Sequence, residues 1–149
     1  RFDPGFARTR EQRAILIRRH IADNREDGEG TLVVTLKESG QFIGQAGLQL
    51  YILPWSPFAT PEVELYYKLG RAFWGQGYAE EACRALIDFA FNTMHLLRLV
   101  TITQPDNHHS VRLLKQLGFS VAPGPDNWHP EVMAILVNPE CGTAPPTRK

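Results

Sequence analysis

Two glycines, one residue apart in "WGQGYAEEACRAL", stand between a strand-like run and the most regular helical pattern of the chain. The run before them is "EVELYYKL", residues 62–69. After them Ala79, Ala82, Cys83, Leu86, Phe89 and Ala90 recur at three–four spacing, which predicts a helix from Tyr78 to about Asn92. A strand that turns through Gly75-Gln76-Gly77 into a helix leaves the first N–H groups of that helix without internal partners. They lie at the end where the helix dipole carries about half a positive charge. Glycine takes up positive φ and lets a bulky anion come close to the backbone. Each N–H donated to a charged phosphate oxygen contributes roughly 1.5–3 kcal/mol, so such a turn holds a phosphate with no Lys or Arg in it. A plain strand-to-helix turn is the competing reading. The dinucleotide fingerprint is excluded, because Glu80 stands where its third glycine belongs and the next strand ends "TITQ" with no acidic residue. The P-loop is excluded for want of Gly-Lys-Ser/Thr.

The rest of the chain frames this turn. Thr9 and Gln12 form a possible capping box opening a helix to about Asp23, with Ile17 and Ile21 on one face. "TLVVTLK" (31–37) and "QFIGQAGLQLYI" (41–52) read as a hairpin about "ESG". "LPWSPFATP" is a proline-rich loop, "LRLVTIT" a short buried strand, "NHHSVRLLKQLGF" a helix with Val111, Leu114 and Leu117 inward and Gly118 at its left-handed cap, and "PEVMAILVN" a last strand. The order helix, hairpin, strand, helix, strand, helix, strands predicts a mixed α/β (α+β) layer fold with a central sheet. One domain is expected over 1–149, with its core from about 9 to 137 and a frayed tail from 138 to 149.

Lys+Arg and Asp+Glu each number 16, with no basic stripe, which argues against a nucleic-acid partner. Two cysteines make no disulfide framework. Cys83 reads as a small buried helix residue and Cys141 as part of the polar tail, usage that suits a reducing cytoplasm. No apolar run has the length of a membrane span, and "RFDPGFARTREQ" is not a signal peptide. A monomer or homodimer is expected, with no metal.

"WGQGYAEEA" after "VELYYKL", followed by "NHHSVRLLKQLGF", resembles the GNAT superfamily of acyl-CoA-dependent N-acetyltransferases, and within it the RimJ/RimL-type branch that acetylates ribosomal-protein alanine. The likeness runs from about Thr31 to Val137. The family pattern Gln/Arg-x-x-Gly-x-Gly/Ala corresponds to Trp74–Ala79, with Trp74 replacing the usual Gln or Arg. The resemblance implies a central, mostly antiparallel sheet flanked by helices, whose strands splay to leave a slot. It implies acetyl-CoA as the acyl donor, with Trp74, Gly75, Gln76, Gly77, Tyr78, Ala79 and Glu80 around its pyrophosphate. The backbone of Tyr67, Lys68 and Leu69 would pair with the pantetheine arm, and Asn107 would hydrogen-bond it. The family fold opens on a strand before the first helix. No strand is read in "RFDPGF", so either the given chain is trimmed or that sheet edge is missing or supplied otherwise.

The resemblance also implies direct acyl transfer to an amine in a ternary complex. The amine must be neutral, the oxyanion needs donors, and the thiolate must leave. Deprotonating an α-amine at pH 7 costs about 1 kcal/mol, against roughly 4–5 for a lysine amine. No dominant base is evident, which favours an α-amine (a protein N-terminal alanine or serine) or a small amine of lowered pKa. Glu64 is the first candidate base, acting through water, and His129 in "DNWHPEV" the second. Ser110, three residues after Asn107, matches a family serine that donates to the departing sulfur; an asparagine N-cap beside a surface serine explains the pair equally simply. Backbone N–H near Tyr66 or Tyr67 would polarise the thioester carbonyl. The tyrosine acid and glutamate base of other branches would fall at Leu114 and near Ile102, so neither is present. "YILPWSPFATP" (51–61), aromatic and proline-rich, reads equally as a wall of the acceptor pocket or as a packed loop. Two other readings stand beside the enzyme: an acyl-CoA-binding sensor without turnover, and an interaction module of the same fold.

Overall fold

The structure is a computed structural model and describes residues 30–52, 61–123 and 132–142. The expected opening helix at 9–23, the start "RFDPGF", most of the 51–61 loop and His129 lie outside the described residues. Among the described residues six strands and two α-helices follow one another. They are β1 (Gly30–Thr35), β2 (Phe42–Ile52), β3 (Pro61–Leu69), α1 (Tyr78–Asp88), β4 (Arg98–Thr103), α2 (His108–Gln116), β5 (Ser120–Pro123) and β6 (Val132–Val137).

The strands form one sheet in the order β1-β2-β3-β4-β6-β5. Every neighbouring pair is antiparallel except β3 and β4. This is the mixed, mostly antiparallel sheet expected from the sequence. The closing "strands" resolve into β5 at the sheet edge and β6, which inserts between β5 and β4. The first hairpin closes earlier than expected. Leu36 N–H donates to Gln41 O at 2.9 Å and Gly40 N–H to Leu36 O at 2.8 Å, so β1 stops at Thr35.

One face of the sheet carries the main core. Ala46, Leu48, Leu65, Leu99 and Ala134 pack against Cys83, Leu86, Ala90 and Phe91 from α1 and the turn after it, and against Leu114, Leu117 and Phe119 around α2. Burying each large aliphatic side chain in such a cluster contributes about 1.5–3 kcal/mol. The helix after the glycines departs from its expected phase at the end. Residues Phe89–Thr93 open into a wider turn in which Met94 N–H reaches back to Phe89 O. The extra residue in that turn rotates Phe91 into the core and leaves Phe89 37% exposed, so Phe89 is not the inward residue that the three–four spacing implies. The tail expected to fray from 138 is ordered at its start. Asn138 is buried, its N–H donates to Leu97 O (2.9 Å), its Nδ2 donates to Leu96 O (3.2 Å), and its Oδ1 accepts from Glu140 N–H (3.0 Å) in the short turn Pro139–Gly142.

Candidate active site

The site begins where the sheet divides. Strands β2 and β3 stay in register over their whole contact, from Gly44 opposite Leu69 to Ile52 opposite Pro61. Between β3 and β4, by contrast, a single pair is in register, Glu64 opposite Val100. Beyond it Leu65–Leu69 run on with no β4 residue in register among the described residues, so a gap opens at Glu64. Backbone direction along that edge follows from one bond. Gly70 N–H donates to Ile43 O on β2 (2.8 Å), and the amide groups of a strand alternate in direction. Residues 64, 66 and 68 therefore turn their backbone groups to β2, and 65, 67 and 69 turn theirs the other way, Leu65 to the Val100 bridge and Tyr67 and Leu69 to the gap. Of the three residues expected to pair with a pantetheine arm, Tyr67 and Leu69 face the opening while Lys68, opposite Gln45, faces β2. The same alternation turns the N–H of Tyr67, and not that of Tyr66, toward the gap.

At the head of the gap β3 passes through Arg71–Phe73 and Trp74 into the glycine turn. Gly75 has φ 72° and Gly77 φ 84°, a region that side-chain-bearing residues enter at a cost of about 1–2 kcal/mol. A Cβ built on either glycine meets nothing within 4 Å. The turn is thus open on its outer side rather than packed shut, which is the shape needed for a bulky anion. Gly77 caps α1, and its carbonyl takes the first helical bond, from Glu81 N–H at 3.0 Å. The amides of Tyr78, Ala79 and Glu80 precede that bond and point out of the helix end. Gln76 folds its side chain back, with Nε2 donating to Ala72 O at 2.9 Å. Glu80 would repel an anion here, but Arg84 one turn on holds its carboxylate at 2.8 Å. Trp74 ties the turn to the strand, its indole N–H donating to Leu69 O at 2.9 Å, so that carbonyl already has a partner.

Helix α2 closes the other side of the opening. Asn107 is its N-cap, with Oδ1 accepting from Ser110 N–H at 3.2 Å. The His109 ring lies 6.3 Å from the Trp74 ring, tilted at 48°, so the start of α2 touches the glycine turn. Ser110 Oγ is 2.7 Å from the Tyr67 hydroxyl. Burial pushes the Tyr67 phenol up to about 12; the Ser110 bond opposes that shift and nearby Cys83 adds to it. Cys83, fully buried, is likewise pushed up to about 12 by burial. The family resemblance implies a backbone role alone for Tyr67. The signal for its side chain was the strand alternation, which puts residue 67 on the same face as buried Leu65 and brings its polar tip under α2. Leu114, one turn after Ser110, is fully buried in the core and offers no chemistry.

Glu64 approaches from the other face of the sheet. Its Oε2 accepts from Gln49 Nε2, directly opposite on β2, at 2.6 Å. The structure therefore gathers Trp74, the glycine turn, Asn107, Ser110 and Tyr67 on the helix face of one opening, with Glu64 at its root on the opposite face. Among the described residues no group of three or more His, Cys, Asp or Glu is placed to hold a metal, and no helix is long and apolar enough to cross a membrane.

A mixed, mostly antiparallel sheet whose β3 and β4 part beside an open, glycine-bearing helix start defines an open-sheet α/β fold. The chain belongs to the family described as Acetyltransferase (GNAT) domain, whose pattern matches residues 1–120. It is similar to the uncharacterized N-acetyltransferase p20 of Bacillus licheniformis, 34% identical over 86 residues, 58% of this chain and 46% of that protein. It is also similar to the crystal structure of an acetyltransferase from Agrobacterium tumefaciens, with 32% identity, a TM-score of 0.62 and coverage of 72% of this chain and 60% of that one. The ribosomal-protein-S5-alanine acetyltransferase of Vibrio fischeri shares the fold, with a TM-score of 0.63 at 22% identity over 87% of this chain and 71% of that one. The chain spans about half the length of the curated relatives it matches.

Proposed function

We propose that this protein is an acetyl-CoA-dependent N-acetyltransferase of the RimJ/RimL type, transferring acetyl directly to a primary amine in a ternary complex. The observation that carries this reading is the gap beyond Glu64 with the open Gly75–Gly77 turn at its head. Residues Gly75–Glu80 cradle the pyrophosphate through backbone N–H groups. The pantetheine arm lies along the gap-facing amides of β3, and Asn107 Nδ2 is available to it because the cap uses Oδ1. Tyr67 N–H, aimed into the gap, polarises the thioester carbonyl as negative charge develops on it. Ser110 donates to the departing sulfur from the helix face. Glu64 draws a proton from the amine through water, on the face away from Ser110, so entry and departure occur on different sides of the carbonyl carbon.

The acceptor we favour is a protein N-terminal alanine or serine, or a small amine of lowered pKa. An α-amine costs only about 1 kcal/mol to deprotonate at pH 7, and a carboxylate acting through water suffices for it, whereas a lysine asks for a stronger base. One protein of the same fold is named for an alanine acceptor on a ribosomal protein, the chemistry proposed here. Two measurements test the reading. Acetyl-CoA should raise the melting temperature by mass action. A panel of N-terminal peptides and small amines should release coenzyme A thiol only where an acceptor is present. Stabilisation with no thiol release across the panel would favour a sensor, and no stabilisation at all would remove the cofactor site.

A further inference from the structure

The 2.7 Å contact between Tyr67 and Ser110 joins β3 to α2 across the mouth of the gap. A phenol is a far stronger acid than an alcohol, so in such a pair the phenol is the better donor and the serine oxygen the better acceptor. Once Oγ accepts from Tyr67, the serine's own hydrogen must point elsewhere. Ser110 is fixed in backbone by its N–H bond to Asn107 Oδ1, and its side chain lies at the opening. We propose that Tyr67 is a positioning residue for acyl transfer: by donating to Ser110 Oγ it aims the serine O–H at the departing sulfur. The inference rests on the transferase reading above.

Tyr67 orients and does not surrender its proton. In the reaction the amine lone pair forms the C–N bond and the carbonyl π pair moves to oxygen. On collapse that pair re-forms C=O, and the C–S pair leaves with sulfur as a thiolate that accepts a hydrogen bond from Ser110. The proton lost by nitrogen passes through water to Glu64 and then to solvent. The thiolate is protonated from solvent. Delivering a proton from a phenol near 12 to a thiolate whose acid is near 8.5 would be uphill by a factor of roughly three thousand. Burial that keeps the phenol neutral therefore suits a permanent donor.

The test is a double-mutant cycle in the full chain with acetyl-CoA and whichever amine the wild type accepts. Tyr67→Phe removes one oxygen and keeps the ring. It should lower kcat about tenfold while KM for acetyl-CoA stays within about twofold. Ser110→Ala should do the same or worse, and the double variant should be no slower than Ser110→Ala, because Tyr67 acts only through the serine. Wild-type kcat in Tyr67→Phe, or losses that multiply in the double variant, would overturn the positioning role while leaving the transferase intact. A Tyr67→Phe chain that melts far below wild type would also overturn it, by showing that the bond serves the fold. A wild type that is stabilised by acetyl-CoA yet turns over no amine would instead bring down the transferase reading itself.

Discussion

The Glu62 carboxylate meets the Arg98 guanidinium across β3 and β4, two residues before the point where those strands part. Arg98 Nε donates to Glu62 Oε2 at 2.9 Å, and its Nη2 binds Oε1. Glu62 is 7% exposed, whereas the Arg98 side chain is 48% exposed. The carboxylate bond holds the guanidinium above its already high ordinary range. The sheet is thus tied by charge just below Glu64 and opens immediately above it, which makes the pair the root of the gap.

The two partners should respond unequally to removal. Arg98→Met strands a buried carboxylate, and a loss of about 2–4 kcal/mol is expected, the lower part of the range reflecting the exposure of the arginine. Glu62→Gln leaves an arginine that reaches water and should cost about 1 kcal/mol. Urea unfolding of both variants measures the difference. Equal losses would mean that the buried carboxylate is no costlier to leave unpaired than the exposed guanidinium.

Stability should fall at alkaline pH because of Cys83 and Tyr67. Both are acids whose neutral forms the fold favours: Cys83 rises from 9.0 to about 12 and Tyr67 from 10.0 to about 12. A group raised in the folded state contributes fully below its unfolded value and loses that contribution as pH climbs towards its folded value. The Cys83 contribution should therefore decline from about pH 9 at close to 1.4 kcal/mol per pH unit, with Tyr67 joining from about pH 10. Denaturant melts from pH 8 to 11 under reductant should show this slope. Cys83→Ala should lose about 1 kcal/mol at pH 7 for its small cavity yet flatten the decline between pH 9 and 10. An unchanged slope would mean that Cys83 does not carry it.

Glu64 and Ser110 lie on opposite faces of the sheet, so under the roles proposed for them their variants should fail differently. Glu64→Gln keeps the bond to Gln49 available in amide form but cannot take a proton. Its kcat is expected to drop by about a hundredfold, and the acidic limb of the pH–rate profile to disappear. Ser110→Ala should keep that limb and lose only rate. A Glu64→Gln profile with the wild-type acidic limb would remove Glu64 as the base.

Much of this arrangement was legible in the sequence because it is local. The glycine turn, the asparagine cap at Asn107 and the left-handed Gly118 (φ 92°) are each set by a few adjacent residues, and the structure has them where the pattern puts them. Contacts between distant elements were not legible. The Tyr67–Ser110 bond joins residues 43 apart, and Glu62–Arg98 joins residues 36 apart. Neither spacing carries a period. Likewise nothing in "EVELYYKL" tells which residues turn their amides to β2; that follows from pairing, which placed Lys68 on the wrong side for the expected role. Phe89 falls out of phase because a periodic count assumes 3.6 residues per turn, and the chain widens at that residue.

The glycine turn makes the sharpest claim on binding. Gly77 has φ 84°, and a Cβ there meets nothing within 4 Å beyond its own chain neighbours, so the first side-chain atom of Gly77→Val enters open space. The substitution costs stability through backbone strain, about 1–3 kcal/mol, and the fold should survive with a lowered melting temperature. The added side chain would project into the open side of the turn, where the pyrophosphate is proposed to lie against the amides of Tyr78, Ala79 and Glu80. Losing even two charge-assisted N–H bonds there would remove roughly 3–6 kcal/mol. Titration calorimetry on the folded variant should therefore find acetyl-CoA affinity lower by at least a hundredfold. Affinity within threefold of wild type, in a variant whose melting point has fallen as expected, would show that strain was introduced where no phosphate binds.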